Sequence, residues 1–135
     1  MHILVVEDDF ISRRLLCRYL EPYGECDVAV NGEEAVASVK QAVAQGYQYD
    51  LICLDIMMPG MDGHETLKEI RLYESKNNIP LGSGAKVIMT TSLQDHKSIR
   101  QAFKASAEGY VVKPVEKKKF LATLSKMGVE FTIPM

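Results

Sequence analysis

The stretch Asp50-Leu51-Ile52-Cys53-Leu54-Asp55-Ile56-Met57-Met58-Pro59-Gly60-Met61-Asp62-Gly63 decides the fold of this chain. Residues 50–54 read as a short strand whose apolar run shows little alternation, the mark of a strand buried on both faces. The strand ends in Asp55, and beyond Gly63 the apolar residues Leu67 and Ile70 resume at helical spacing. Working outward, four more short apolar segments read as strands: His2–Val6, Cys26–Val30, Lys86–Thr91 and Gly109–Val112. Helical stripes lie between and after them. Ile11, Leu15, Leu16, Tyr19 and Leu20 form one, stopped by Pro22 and Gly24. Ala35, Val36, Val39, Ala42 and Val43 form the next, opened by Asn31 with Glu34 three residues on, a capping arrangement. Ile99, Ala102 and Phe103 follow a second capping sequence, Ser92-Leu93-Gln94-Asp95, and Phe120, Leu121 and Leu124 close the series with Gly128 as a stop. Five strands alternating with five helices predict an α/β domain: a parallel sheet with helices on both faces.

The remaining bounds are those of one ordinary domain. The chain has 135 residues, 47% hydrophobic and 25% charged, a globular composition rather than a disordered one. No apolar run approaches the roughly 20 residues of a membrane span. The start runs straight into Glu7, so no signal peptide is expected, and the cytoplasm is the expected compartment. Cys17, Cys26 and Cys53 are an odd number without CxxC spacing, which predicts reduced thiols rather than a disulfide frame or zinc site. His64-Glu65-Thr66-Leu67-Lys68 lacks the second histidine of a zinc helix, and Gly82-Ser83-Gly84 lacks the lysine of a phosphate loop. Charge is polarised: residues 1–96 carry a net −7 and residues 97–135 a net +5. The basic end has no interleaved aromatics, which argues against direct nucleic-acid binding.

In open parallel sheets, ligands bind beyond the carboxyl ends of the strands. Glu7, Asp8 and Asp9 follow the first strand, Asp55 the third, Thr90-Thr91-Ser92 close the fourth, and Lys113-Pro114 follow the fifth. Clustered carboxylates repel unless a cation intervenes, and an all-oxygen site without His or Cys suits Mg²⁺. With the Lys113 ammonium and the Thr91 hydroxyl, these are the parts that phosphoryl transfer requires: a metal, a cation, a donor and an oxygen nucleophile.

The segments Leu4–Asp9, Asp50–Gly63, Ile88–Ser92 and Gly109–Pro114, in this order, resemble the receiver domain of bacterial two-component response regulators, of the chemotaxis-regulator type. The resemblance runs over residues 1–127 and leaves 128–135 as a short tail. It implies a flavodoxin-like, doubly wound (βα)5 fold with strand order 2-1-3-4-5. It also implies that Asp55 accepts a phosphoryl group from a histidine kinase or phosphotransfer protein. Asp8 would then bind Mg²⁺ directly, Glu7 through water, and the Met57 carbonyl would be a further ligand. Lys113, held by a cis bond to Pro114, would reach the phosphoryl group. Thr91 and Tyr110 would move together as the switch. Asp9 falls outside the acidic pair and reads as the start of the first helix, beside the metal site. A chain of this length has no room for an output module, so the expected role is a stand-alone signalling protein rather than an enzyme. It is expected as a monomer or weak dimer, passing its signal to a protein partner through strand five and the last two helices. There Lys97, Arg100, Lys104 and Lys117-Lys118-Lys119 are basic.

Two other readings remain open from sequence. An Asp-nucleophile phosphatase of the haloacid dehalogenase kind carries an acid two residues after the nucleophile, where this chain has Met57. A degenerate receiver would bind partners without phosphorylation, against the full complement of acids, Thr91 and Lys113. One departure from compact receivers is length: Thr91 lies 36 positions after Asp55, with the excess in the turn-rich residues 74–85, expected as a mobile surface loop. The positions two beyond Asp55 and two beyond Thr91, which in receivers govern water's access to the acyl phosphate, are the apolar Met57 and Leu93. A slowly hydrolysing phosphoaspartate is expected. Decay of radiolabel after phosphorylation by a small-molecule donor measures it, and loss within seconds would contradict it.

Overall fold

The computed structural model describes residues 1–80, 82–92 and 107–129. Its strands are β1 (His2–Val6), β2 (Glu25–Ala29), β3 (Leu51–Asp55), β4 (Lys86–Thr91) and β5 (Gly109–Val112). Its helices are α1 (Phe10–Leu20), α2 (Gly32–Ala44), α3 (Gly63–Lys76) and α4 (Lys117–Lys126), with a single 3-10 turn at Glu21–Tyr23. The strands form one parallel sheet in the order β2-β1-β3-β4-β5, as expected. The helix expected around Ile99, Ala102 and Phe103, with its cap at Ser92–Asp95, falls almost wholly outside the described residues, as do residues 130–135 of the tail.

Successive strand side chains point to opposite faces, and here both faces are covered. Leu4, Val6, Ile52, Leu54, Val87 and Met89 meet Val39, Leu67 and Ile70 of α2 and α3. Ile3, Val5, Leu51, Cys53 and Ile88 meet Leu16 and Leu20 of α1 and Phe120 and Leu124 of α4. Every residue of β3 is buried, which is why its sequence does not alternate. β2, at the edge, is largely exposed.

Most boundaries fall where the sequence puts them. β2 and β3 shift by one residue: the ladder reaches Asp55 opposite Thr90, and β2 opens at Glu25, whose N–H donates to the Met1 carbonyl at 3.0 Å. Asn31 caps α2, accepting from the Glu34 N–H at 2.8 Å. Gly128, at φ 86°, ends α4 in the left-handed conformation that favours glycine.

Two expectations are corrected. In the first stripe only Leu16 and Leu20 are buried, whereas Ile11 is 75% exposed. Residues 74–85 are not a loose loop throughout. α3 continues to Lys76, and the buried Glu74 carboxylate accepts from the Ala85 N–H at 2.8 Å and from Arg71 at 2.9 Å. Arg71 also donates to the Ala85 carbonyl at 2.7 Å, so charge-assisted bonds pin the end of the excursion to the start of β4.

Gly63 couples this frame to the end of β3. Its N–H donates to the Ile56 carbonyl at 3.0 Å, and a Cβ there would sit 2.6 Å from the Asp55 carbonyl oxygen and 2.7 Å from the Ile56 Cα. Backbone cannot yield as a flexible side chain does. Gly63→Ala should therefore destabilise the domain by about 1–3 kcal/mol, read as a lower urea midpoint. An unchanged midpoint would contradict this packing.

Candidate functional site

The site lies at the carboxyl ends of β1, β3 and β5. Glu7 continues β1 by one ladder bond, its N–H donating to the Ala29 carbonyl at 3.1 Å, and its side chain is fully buried. Asp8 is exposed. Asp9 caps α1 instead of completing a triad: its carboxylate accepts from the Ser12 N–H at 2.9 Å and the Ser12 hydroxyl at 2.8 Å. Those bonds hold its pKa below the usual carboxylate range. Asp55, 3% exposed, ends β3 and accepts at Oδ1 from the Met57 N–H at 3.1 Å.

Lys113 Nζ bridges the two buried acids, 2.9 Å from Glu7 Oε2 and 3.2 Å from Asp55 Oδ2. Its peptide bond to Pro114 is cis, and its N–H donates to the Thr91 carbonyl at 2.7 Å, so backbone as well as charge aims the ammonium into the cluster. Burial pushes the Glu7 carboxyl up to about 7, against the opposing hydrogen bond from Lys113 and with the Asp55 charge adding to the rise. Burial disfavours the Lys113 ammonium too, but its bond to Glu7 and the Asp55 and Glu7 charges outweigh that and raise its pKa.

One carboxylate oxygen from each of Glu7, Asp8 and Asp55 lies within 4.8 Å of the others. Three acids against one ammonium leave an excess of negative charge, and the donors are all hard oxygens, so the residues fit a Mg²⁺ ion. Among the other expected residues, Thr91 is 1% exposed and its hydroxyl donates to the Ser92 carbonyl at 3.4 Å. Tyr110 is half-buried against the core on the α2–α3 side. Met57 is 65% exposed at the mouth of the site. Leu93, Lys97, Arg100 and Lys104 lie outside the described residues. Sequence reading missed Arg13, whose Nη1 donates to the Glu7 carbonyl at 3.0 Å. The two lie six positions apart, a spacing with no pattern to flag it.

A doubly wound parallel sheet with acids and a lysine gathered at its carboxyl edge defines a flavodoxin-like binding domain. The chain belongs to the response regulator receiver domain family, whose model matches residues 3–125. It is 36% identical over 124 residues to the chemotaxis protein CheY of Halobacterium salinarum, covering 91% of this chain and 92% of that protein. It is 42% identical over 113 residues to the transcriptional regulatory protein ResD of Bacillus subtilis, covering 83% of this chain but only 41% of ResD. A solved CheX–CheY–BeF3–Mg²⁺ complex from Borrelia burgdorferi is similar at TM-score 0.79 and 27% identity, covering 96% of this chain and 90% of that one. This is a chemotaxis-regulator-like receiver domain of two-component signalling, in a family of signalling modules rather than enzymes. Among the described residues no helix is long and apolar enough to cross a membrane.

The charge imbalance gives opposite signs to two substitutions in metal-free buffer. Asp8→Asn relieves repulsion and should raise stability by about 1 kcal/mol. Lys113→Met leaves buried Glu7 and Asp55 without their counter-charge and should lower it by about 1–3 kcal/mol. Urea unfolding of both variants checks this, and a shift of the same sign in both would contradict it.

Proposed function

We propose that this chain receives a phosphoryl group on Asp55 from a histidine kinase or phosphotransfer protein, in a Mg²⁺-dependent reaction, and signals by a change of its binding surface. The observation that carries the reading is the Asp55 carboxylate, buried at the end of the central strand with Lys113 Nζ 3.2 Å away and two further acids beside it. A carboxylate oxygen of Asp55 attacks phosphorus, the phosphorus–nitrogen bond of a phosphohistidine breaks, and the imidazole leaves with its electron pair. The product is an acyl phosphate. Asp8, Asp55 and the Met57 carbonyl would hold Mg²⁺, with Glu7 acting through water, and the ion would supply charge neutralisation at the transferring group. The Lys113 ammonium stays in the site and exchanges its Asp55 contact for a phosphoryl oxygen. The Borrelia relative, solved with BeF3 and Mg²⁺, supports this chemistry.

Exposed apolar side chains rim the acidic mouth: Phe10 at 58%, Ile11 at 75% and Met57 at 65% exposure. A protein phosphodonor can bury such a rim, whereas a small phosphate ester gains nothing from it. After transfer, the Thr91 hydroxyl gives up the Ser92 carbonyl for a phosphoryl oxygen, and Tyr110 follows inward. The change reaches the surface over β5 and α4. Lys117, Lys118 and Lys119 of α4 give that face a positive field suited to an acidic protein partner. The domain spans residues 1–127, acts in the cytoplasm as a monomer or weak dimer, and makes no contact with nucleic acid or membrane.

Asp55→Asn should abolish radiolabel transfer from acetyl phosphate or a kinase while keeping a cooperative unfolding transition. Undiminished labelling of the folded variant would overturn the proposal.

A further inference from the structure

A second reactive cluster lies away from the acidic site, on the face formed by α1 and the edge strand β2. Cys17, in the body of α1, and Cys26, the second residue of β2, are both half-buried free thiols, and each is the strongest influence on the other's protonation. They line an open groove of about 550 Å³ together with Arg13, Arg14, Arg18 and Glu21. Three guanidinium groups against two carboxylates, Glu21 and Glu25, leave the groove with one net positive charge. The third cysteine contrasts with them: Cys53 is fully buried in β3, where burial pushes its thiol pKa up and leaves it inert.

We propose that Cys17 and Cys26 form a reversible dithiol–disulfide pair that is oxidised by hydroperoxides. The influence of the Cys26 thiol, with the Arg13 charge in support, outweighs burial and draws the Cys17 thiol down to about 7. The same pairing, reinforced by burial, holds Cys26 protonated. One thiol is thus poised as the nucleophile and its neighbour as the resolving group. The Cys17 thiolate attacks a peroxide oxygen, the O–O bond breaks, and the leaving oxygen departs as alcohol or water after taking up a proton. Cys17 becomes a sulfenic acid. The Cys26 sulfur then attacks the Cys17 sulfur, the S–O bond breaks, and water leaves with the Cys26 proton. Two thiols lose two electrons and the peroxide gains them. A small thiol reverses the reaction by exchange. The groove opens to solvent because β2 is an edge strand, so oxidant and reductant both have access.

The test treats the full chain with hydrogen peroxide and counts free thiols before and after addition of dithiothreitol, with non-reducing peptide mapping by mass spectrometry. Accessible thiols under denaturing conditions should fall from three to one per chain, with a Cys17–Cys26 linked peptide, Cys53 unmodified, and full recovery on reduction. Cys26→Ser should instead accumulate a dimedone-trapped sulfenic acid at Cys17, and Cys17→Ser should trap none at Cys26. The wild-type map requires no substitution, so a misfolded variant leaves the test intact. Retention of all three thiols, a linkage through Cys53, or irreversible over-oxidation of Cys17 without a linked peptide would overturn the proposal. None of these outcomes depends on phosphorylation at Asp55.

Discussion

One ammonium group organises the functional end of this domain. Lys113 Nζ touches both buried acids, Glu7 at 2.9 Å and Asp55 at 3.2 Å, and these come from two adjacent strands, β1 and the central β3. Burying a lone carboxylate is costly, and burying two together is more so. The lysine is what makes the arrangement tolerable in the absence of metal, and the exposed Asp8 leaves a negative excess that a divalent ion completes. Everything else about the fold serves that convergence. Parallel strands bring their carboxyl ends to one edge, and order β2-β1-β3-β4-β5 places the ends of β1 and β3 side by side.

The same logic explains how much of the molecule is legible in its sequence. Strands covered on both faces read as unbroken apolar runs, so β1, β3 and β4 announce themselves. An acid that ends such a strand must lie at the rim, which made Asp55, Glu7 and Asp8 readable by position. Asp9 stands apart from them because the residue that starts a helix is claimed by the helix's own N–H groups, as its bonds to Ser12 show; in the sequence only the resemblance to receivers set it apart.

What escaped the sequence depends on contacts between distant residues. Helical periodicity marks Ile11 as core, yet only the lower part of α1 reaches the sheet, and the upper apolar residues stand at the mouth of the site. Glycine and proline mark residues 74–85 as loop, but the bonds from Glu74 to Ala85 and from Arg71 to Glu108 at 3.1 Å close that excursion onto the strands. Cys17 and Cys26 look unrelated at a spacing of nine, and only the packing of α1 on β2 brings the thiols together.

We propose that the buried aspartate at the end of β3 is the group that carries the phosphoryl label. Borotritide reduction measures this directly, because it converts an aspartyl phosphate to tritiated homoserine and leaves free carboxylates untouched. After phosphorylation with acetyl phosphate and Mg²⁺, peptide sequencing should find homoserine at position 55 alone. Tritium at Asp8 or elsewhere, or its absence from a folded, Mg²⁺-saturated protein, would contradict this assignment.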